Sequence, residues 1–129
     1  MSRPTFVLDT LVSPAQPAGL IATLLAANVI FNIIANASFK ISALSASWRP
    51  FLSWQVIGNL AGFLTVLTLT WLLRFIPLHI AFTVTTGLAV LGVQIGAAAW
   101  IFHEPVSPLQ WTGTALVVVG ILLVGRPAS

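Results

Sequence analysis

Four long apolar runs separated by three short polar breaks set the pattern of this chain. The first occupies about 18–44 and ends in the small, polar run Ser42 to Ser47. Trp48-Arg49-Pro50 follows and reads as an interface: a ring that favours the headgroup level, a charge, and a proline that stops a helix. The second run occupies about 52–73, with Trp54 and Trp71 near its ends, and closes at Arg74 and Pro77. The third, about 77–102, begins on Pro77, a favourable first-turn residue, and ends at the turn His103-Glu104-Pro105-Val106-Ser107-Pro108. The fourth, about 107–124, has Trp111 near its start and stops at Gly125-Arg126-Pro127. A helix that crosses a bilayer takes about 20 mainly apolar residues, and by that measure all four runs qualify. The pattern predicts an all-α integral membrane protein, with four transmembrane helices in an up-and-down bundle over 18–125. Residues 1–17 read as an extramembrane tail without the basic-then-apolar layout of a cleavable signal peptide, and 126–129 as a short second tail.

Within the first run, Asn28, Asn32, Asn36 and Lys40 follow at intervals of four. On an α-helix that spacing makes one slowly drifting stripe of three carboxamides and an ammonium on an otherwise apolar rod. Lipid tails cannot meet such a stripe. The amides serve either as interhelical hydrogen-bond glue or as the wall of a polar cavity. Lys40 either snorkels to the headgroups or sets a fixed positive charge at a cavity mouth, which an anionic phosphate would favour. Gln94, Thr83, Thr85 and Thr86 add polar positions on the third helix, although a threonine can satisfy its hydroxyl on its own backbone. His79 reads as interfacial.

Small residues recur where helices can touch: Gly58 with Gly62, Gly92 with Gly96, and Gly113 with Gly120. Such pairs allow close backbone approach, either inside the bundle or across a dimer face.

Composition narrows the reading. Of 129 residues 58% are hydrophobic and 5% charged, where a soluble domain carries about 25% charged. Five basic and two acidic side chains cannot build a water-soluble surface. The pI of about 11.5 would suggest nucleic acid in a soluble protein; here the basic residues are scattered over segment ends and form no patch. Arg3, Arg74 and Arg126 lie on the side of both termini, against Arg49 and Lys40 on the other. That leans towards cytoplasmic termini and permits either orientation. Cysteine is absent, the two histidines lack metal-ligand spacing, and no catalytic triad, paired carboxylates or phosphate-cradling glycine loop occurs. Neither an enzyme nor a cofactor is expected. Glu104, the one acid beyond the first tail, sits in the turn before the fourth helix, where it can cap that helix or pair with a basic residue. It is not placed mid-membrane, where a proton-coupling carboxylate would sit.

Four short helices, the polar stripe, an Ile-Pro entry to the third helix and the His-Glu-Pro-Val-Ser-Pro turn together resemble the drug/metabolite transporter superfamily, with its EamA-like and small multidrug resistance-like four-helix proteins. Within it, Trp100 to Gly113, Ile76 to Phe82 and Lys40 are similar to the flippase subunits for aminoarabinose-phosphoundecaprenol, over roughly Ala18 to Gly125. Those subunits carry a proline and an asparagine inside the third helix, where this chain has Thr83-Val84-Thr85-Thr86-Gly87-Leu88. The multidrug family's membrane glutamate, eight residues before its lysine, falls at Asn32, and its third-helix tryptophan falls at Thr85. A neutral amide cannot exchange a proton for a cation. The resemblance implies a multi-pass protein of the bacterial inner membrane that moves a polyprenyl-phosphate-linked sugar by alternating access. It also implies pairing with a second copy or with a similar small membrane protein. Lys40, Asn36, Asn32, Asn28, Gln94 and Thr85 are the expected substrate-binding residues. A multidrug-type cation exporter and a non-transporting structural subunit of a larger membrane complex are the alternatives.

Overall fold

The computed structural model describes residues 18–126, so the two expected tails lie outside the described residues, Arg126 excepted. Four helical rods run up and down: α1 (Ala18–Ala43), α2 (Trp48–Leu72), α3 (Leu78–Gly92, continued by a π-helical stretch Val93–Ile101) and α4 (Pro108–Val124). Helices are what such a sequence must form in lipid, because no water is present to satisfy open backbone groups. α1, α2 and the whole of α3 are long and apolar enough to cross a membrane. α4 is a shorter apolar helix of 17 residues, about 25 Å against a hydrocarbon core of about 30 Å.

The start of α2 differs from expectation at Pro50. Trp48-Arg49-Pro50 does not stop a helix; it opens α2, with Ser47 as the residue before the first turn. A proline in the first turn loses no hydrogen bond, since those N–H groups have no intrahelical partner. α4 starts in the same way on Pro108, and Ser107 caps it. The Ser107 hydroxyl accepts from Gln110 N at 3.2 Å, while Ser107 N donates to Gln110 Oε1 at 2.7 Å. This reciprocal pair satisfies two donors at once. α3 loosens after Gly92 into wider π turns and ends where His103 adopts φ 52°, the left-handed region.

The interior mixes small apolar residues, among them Ala35, Ala61, Ala81 and Ala97, with hydrogen-bonded polar ones. Asn28, Ser38, Ser42, Thr85 and Thr114 are buried, while Trp48, Phe63, Phe82, Trp100, Leu116 and Leu122 lie exposed. A small apolar cluster of Leu24, Leu72 and Phe75 closes one end of the α1–α2 pair. At the opposite end Ser42, fully buried, donates to Phe51 O at 2.8 Å and accepts from Gln55 Nε2 at 3.2 Å. An apolar exterior over a hydrogen-bonded interior is the arrangement that a hydrocarbon solvent favours.

α1 is the axis of the bundle, packing along α2 and against both parts of α3, whereas α4 rests on the α-helical part of α3 alone among the described helices. The small residues divide accordingly. A Cβ on Gly92 would meet Val29 Cγ1 at 2.8 Å and Ile33 Cδ1 at 3.2 Å, and one on Gly87 would collide with the Ile121 side chain of α4. Gly62, Gly113 and Gly120 have nothing within 4 Å of a Cβ. The β-branched Val29 is stiff and cannot swing clear. Gly92→Ala is therefore expected to destabilise the bundle by about 1–3 kcal/mol, read as a lower thermal midpoint in detergent. Gly62→Ala, at an open helix surface, should leave the midpoint unchanged or raise it.

Candidate functional site

The stripe on α1 does not act as one surface. Each step of four residues advances about 40° around the helix, so Lys40 lies about 120° round from Asn28 and about 18 Å further along. That drift hands successive members to different neighbours. Asn28, 3% exposed, faces α2: its amide donates to Thr65 O and to Thr68 Oγ1, both at 3.0 Å. Asn32 donates to Asn28 Oδ1 at 3.1 Å and to Asn28 O at 3.0 Å. Asn36 is exposed and donates only along its own helix, to Asn32 O at 2.9 Å.

Asn28 and Asn32 form the floor of an open cleft of about 180 Å³ between α1, α2 and α3. Thr65 of α2 and Thr85 and Thr86 of α3 complete its polar lining, and the remainder is aliphatic apart from the Phe82 ring. Thr85 is buried and gives its hydroxyl hydrogen back to α3, to Ala81 O at 2.7 Å and to Phe82 O at 3.2 Å. No carboxylate lines the cleft. Of the six expected binding residues, Asn28, Asn32 and Thr85 are brought together here. Asn36, Lys40 and Gln94 are not part of this lining; Gln94 sits half-buried in the π-helical stretch.

Lys40 ends the stripe in the last turn of α1, near the negative end of that helix dipole. Its ammonium is not free: Lys40 Nζ lies 3.1 Å from Glu104 Oε1, with the two side chains 44% and 43% exposed. Glu104 thus takes the pairing role open to it in the sequence, and the partner is the stripe itself. The α2 partners Gln55, Thr65 and Thr68 stand outside the expected site residues. Their signal was present in the spacing: Thr65 and Thr68 stand three apart on an apolar helix and so share a face.

The chain is similar to proteins named "Probable 4-amino-4-deoxy-L-arabinose-phosphoundecaprenol flippase subunit ArnE". The Klebsiella pneumoniae (strain 342) protein is 42% identical over 60 residues, 44% of this chain and 51% of that protein. The Salmonella typhimurium protein is 39% identical over 61 residues, 45% of this chain and 52% of that protein. The matched stretch thus spans about half the length of these curated relatives. No family model matches the chain, and no solved structure matches it.

The two ends of the stripe should respond differently to truncation. Asn28→Ala removes both bonds to α2 and leaves Asn32 without its side-chain acceptor, and should cost about 1–2 kcal/mol of unfolding free energy in mixed micelles. Asn36→Ala removes one exposed bond within α1 and should shift the same measurement by under about 0.5 kcal/mol.

Proposed function

We propose that this chain is a flippase subunit that moves a polyprenyl-phosphate-linked sugar, or a similar anionic amphiphile, across the bacterial inner membrane. The observation that carries the reading is a cleft between three apolar helices, lined by hydroxyls, carboxamides and apolar side chains with no acid, beside a helix whose last turn carries Lys40. Hydroxyl and amide groups suit the hydroxyls of a sugar, and an ammonium near the interface suits a phosphate. The similarity to proteins named as flippase subunits supports the same substrate class.

Geometry constrains how the groups are used. Asn28 lies about 18 Å along the helix from Lys40, beyond the span of one sugar and its phosphate, whereas Asn36 is a single turn, about 6 Å, away. Lys40 with Asn36 therefore receives the head group at the interface, and the cleft at Asn28 and Asn32 serves as a station deeper in the membrane. Ligand pockets commonly enclose about 300–1,000 Å³, so a cleft of about 180 Å³ is too small to close over such a head group alone. A second copy or a similar small partner supplies the facing half, and the two rock about a midplane site to give alternating access.

The alternatives lose their footing on particular residues. A multidrug-type cation exporter needs a carboxylate within the membrane, and the position is Asn32. A structural subunit docked through the amide stripe needs that stripe free, whereas Asn28 spends its amide on α2 of its own chain.

Native mass spectrometry of protein released gently from its membrane tests the proposal. The wild type should appear as a dimer carrying a phospho-polyprenyl mass, and Lys40→Ala should retain at most about a tenth of that occupancy. Equal occupancy in the two proteins would remove Lys40 from the site. A stoichiometric unrelated subunit in place of the lipid would overturn the flippase reading.

A further inference from the structure

Charge is unevenly spent among the described residues. Arg49, Arg74 and Arg126 stand without an acidic partner, because Glu104 is the single carboxylate there and its ion pair is with Lys40. The chain positions that carboxylate through its backbone. As α3 widens into π turns, Phe102 N bonds back to Ala97 O at 2.9 Å and Glu104 N to Ala98 O at 2.8 Å. His103 between them is held at φ 52°, a conformation that a residue with a Cβ adopts only under constraint. Pro105 follows and restricts the next step. Glu104 is thus pinned by its main chain while its side chain, half-exposed, reaches the last turn of α1.

A contact between two half-exposed ions is readily exchanged, because such a pair contributes little and neither partner is deeply buried in the protein. To an ammonium, a carboxylate and a phosphodiester look alike: each carries one negative charge and offers two free oxygens as acceptors. From this geometry we infer that Glu104 is a resident stand-in for the substrate's phosphodiester. It occupies Lys40 in the empty protein and yields it when the lipid arrives. The inference rests on the flippase reading of Lys40 given above.

The exchange is one anion for another, with no covalent step. It keeps Lys40 neutralised in both states, which matters for a charge at the edge of hydrocarbon. The Lys40–Glu104 contact joins the end of α1 to the turn between α3 and α4, so loading Lys40 with phosphate removes that one tie while the backbone bonds of the turn stay in place.

Titration of the full-length protein in detergent with farnesyl methyl phosphate, a singly charged prenyl phosphodiester, tests this through tryptophan fluorescence. Glu104→Gln is nearly isosteric and removes the competitor, so it should bind roughly three- to tenfold more tightly than wild type. Glu104→Asp, whose shorter carboxylate reaches Lys40 less well, should fall between them and guards against a folding defect in the amide variant. Lys40→Gln, alone or with Glu104→Gln, should bind at least about tenfold more weakly than wild type. Unchanged or weaker binding by Glu104→Gln, with the Lys40 dependence intact, would overturn the stand-in role and leave the flippase reading standing. Absence of Lys40-dependent binding in every variant would bring down the phosphate site and this inference together.

Discussion

One hydrogen-bonded amide near the middle of the first helix holds this bundle in register. Asn28 has left water, and an unpaired carboxamide in hydrocarbon costs several kcal/mol. Its two bonds, to Thr65 O and Thr68 Oγ1, remove that penalty only when α1 and α2 stand at one height and one rotation. The apolar cluster at Leu24 and Leu72 and the Ser42 bonds at the far end follow from that alignment. Apolar burial alone gives little alignment in lipid, where a leucine is as content against an acyl chain as against another leucine. Hydrogen bonds and close packing at small residues such as Gly92 set the register. Burial of polar groups under an exposed apolar coat is therefore the organising principle of this small fold.

The same helix geometry divides the labour along α1. A repeat of four on a helix of 3.6 residues per turn cannot stay on one face, and the advance of about 40° per step separates Asn28 from Lys40 by a third of a turn. The buried end of the stripe is committed to structure. At the exposed end Lys40 pairs with Glu104, and Asn36 bonds along its own helix. The middle, Asn32, belongs to both, since it bonds to Asn28 and also lines the cleft. Glue and cavity wall, posed as alternatives from the sequence, coincide at Asn28, which bonds to α2 and also lines the cleft.

Much of this was legible in the residue pattern. The four apolar runs appear as four helices, because twenty-odd apolar residues in a row have few other ways to satisfy their backbones. Pro50 was harder to read, since a proline ends one helix and opens another with the same φ, and only the capping context separates the two. The π-helical end of α3 carried no periodic signal in Val93 to Ile101. The Lys40–Glu104 pair was legible only as a possibility for each partner, because 64 positions and two turns separate them along the chain. Among the described residues the one carboxylate, Glu104, lies in the turn before α4, and the similarity to curated flippase subunits covers about half of their length.

The most direct measurement is solid-state NMR of the protein in lipid bilayers, with its asparagine side chains labelled with 15N, reading the Asn28 amide. Hydrogen bonds to Thr65 and Thr68 in a dry helix interface predict slow hydrogen exchange and through-space contacts from Asn28 Nδ2 to both threonines. An Asn28 amide that exchanges as fast as that of exposed Asn36, with contacts to water in place of α2, would contradict the register on which the bundle and its cleft depend.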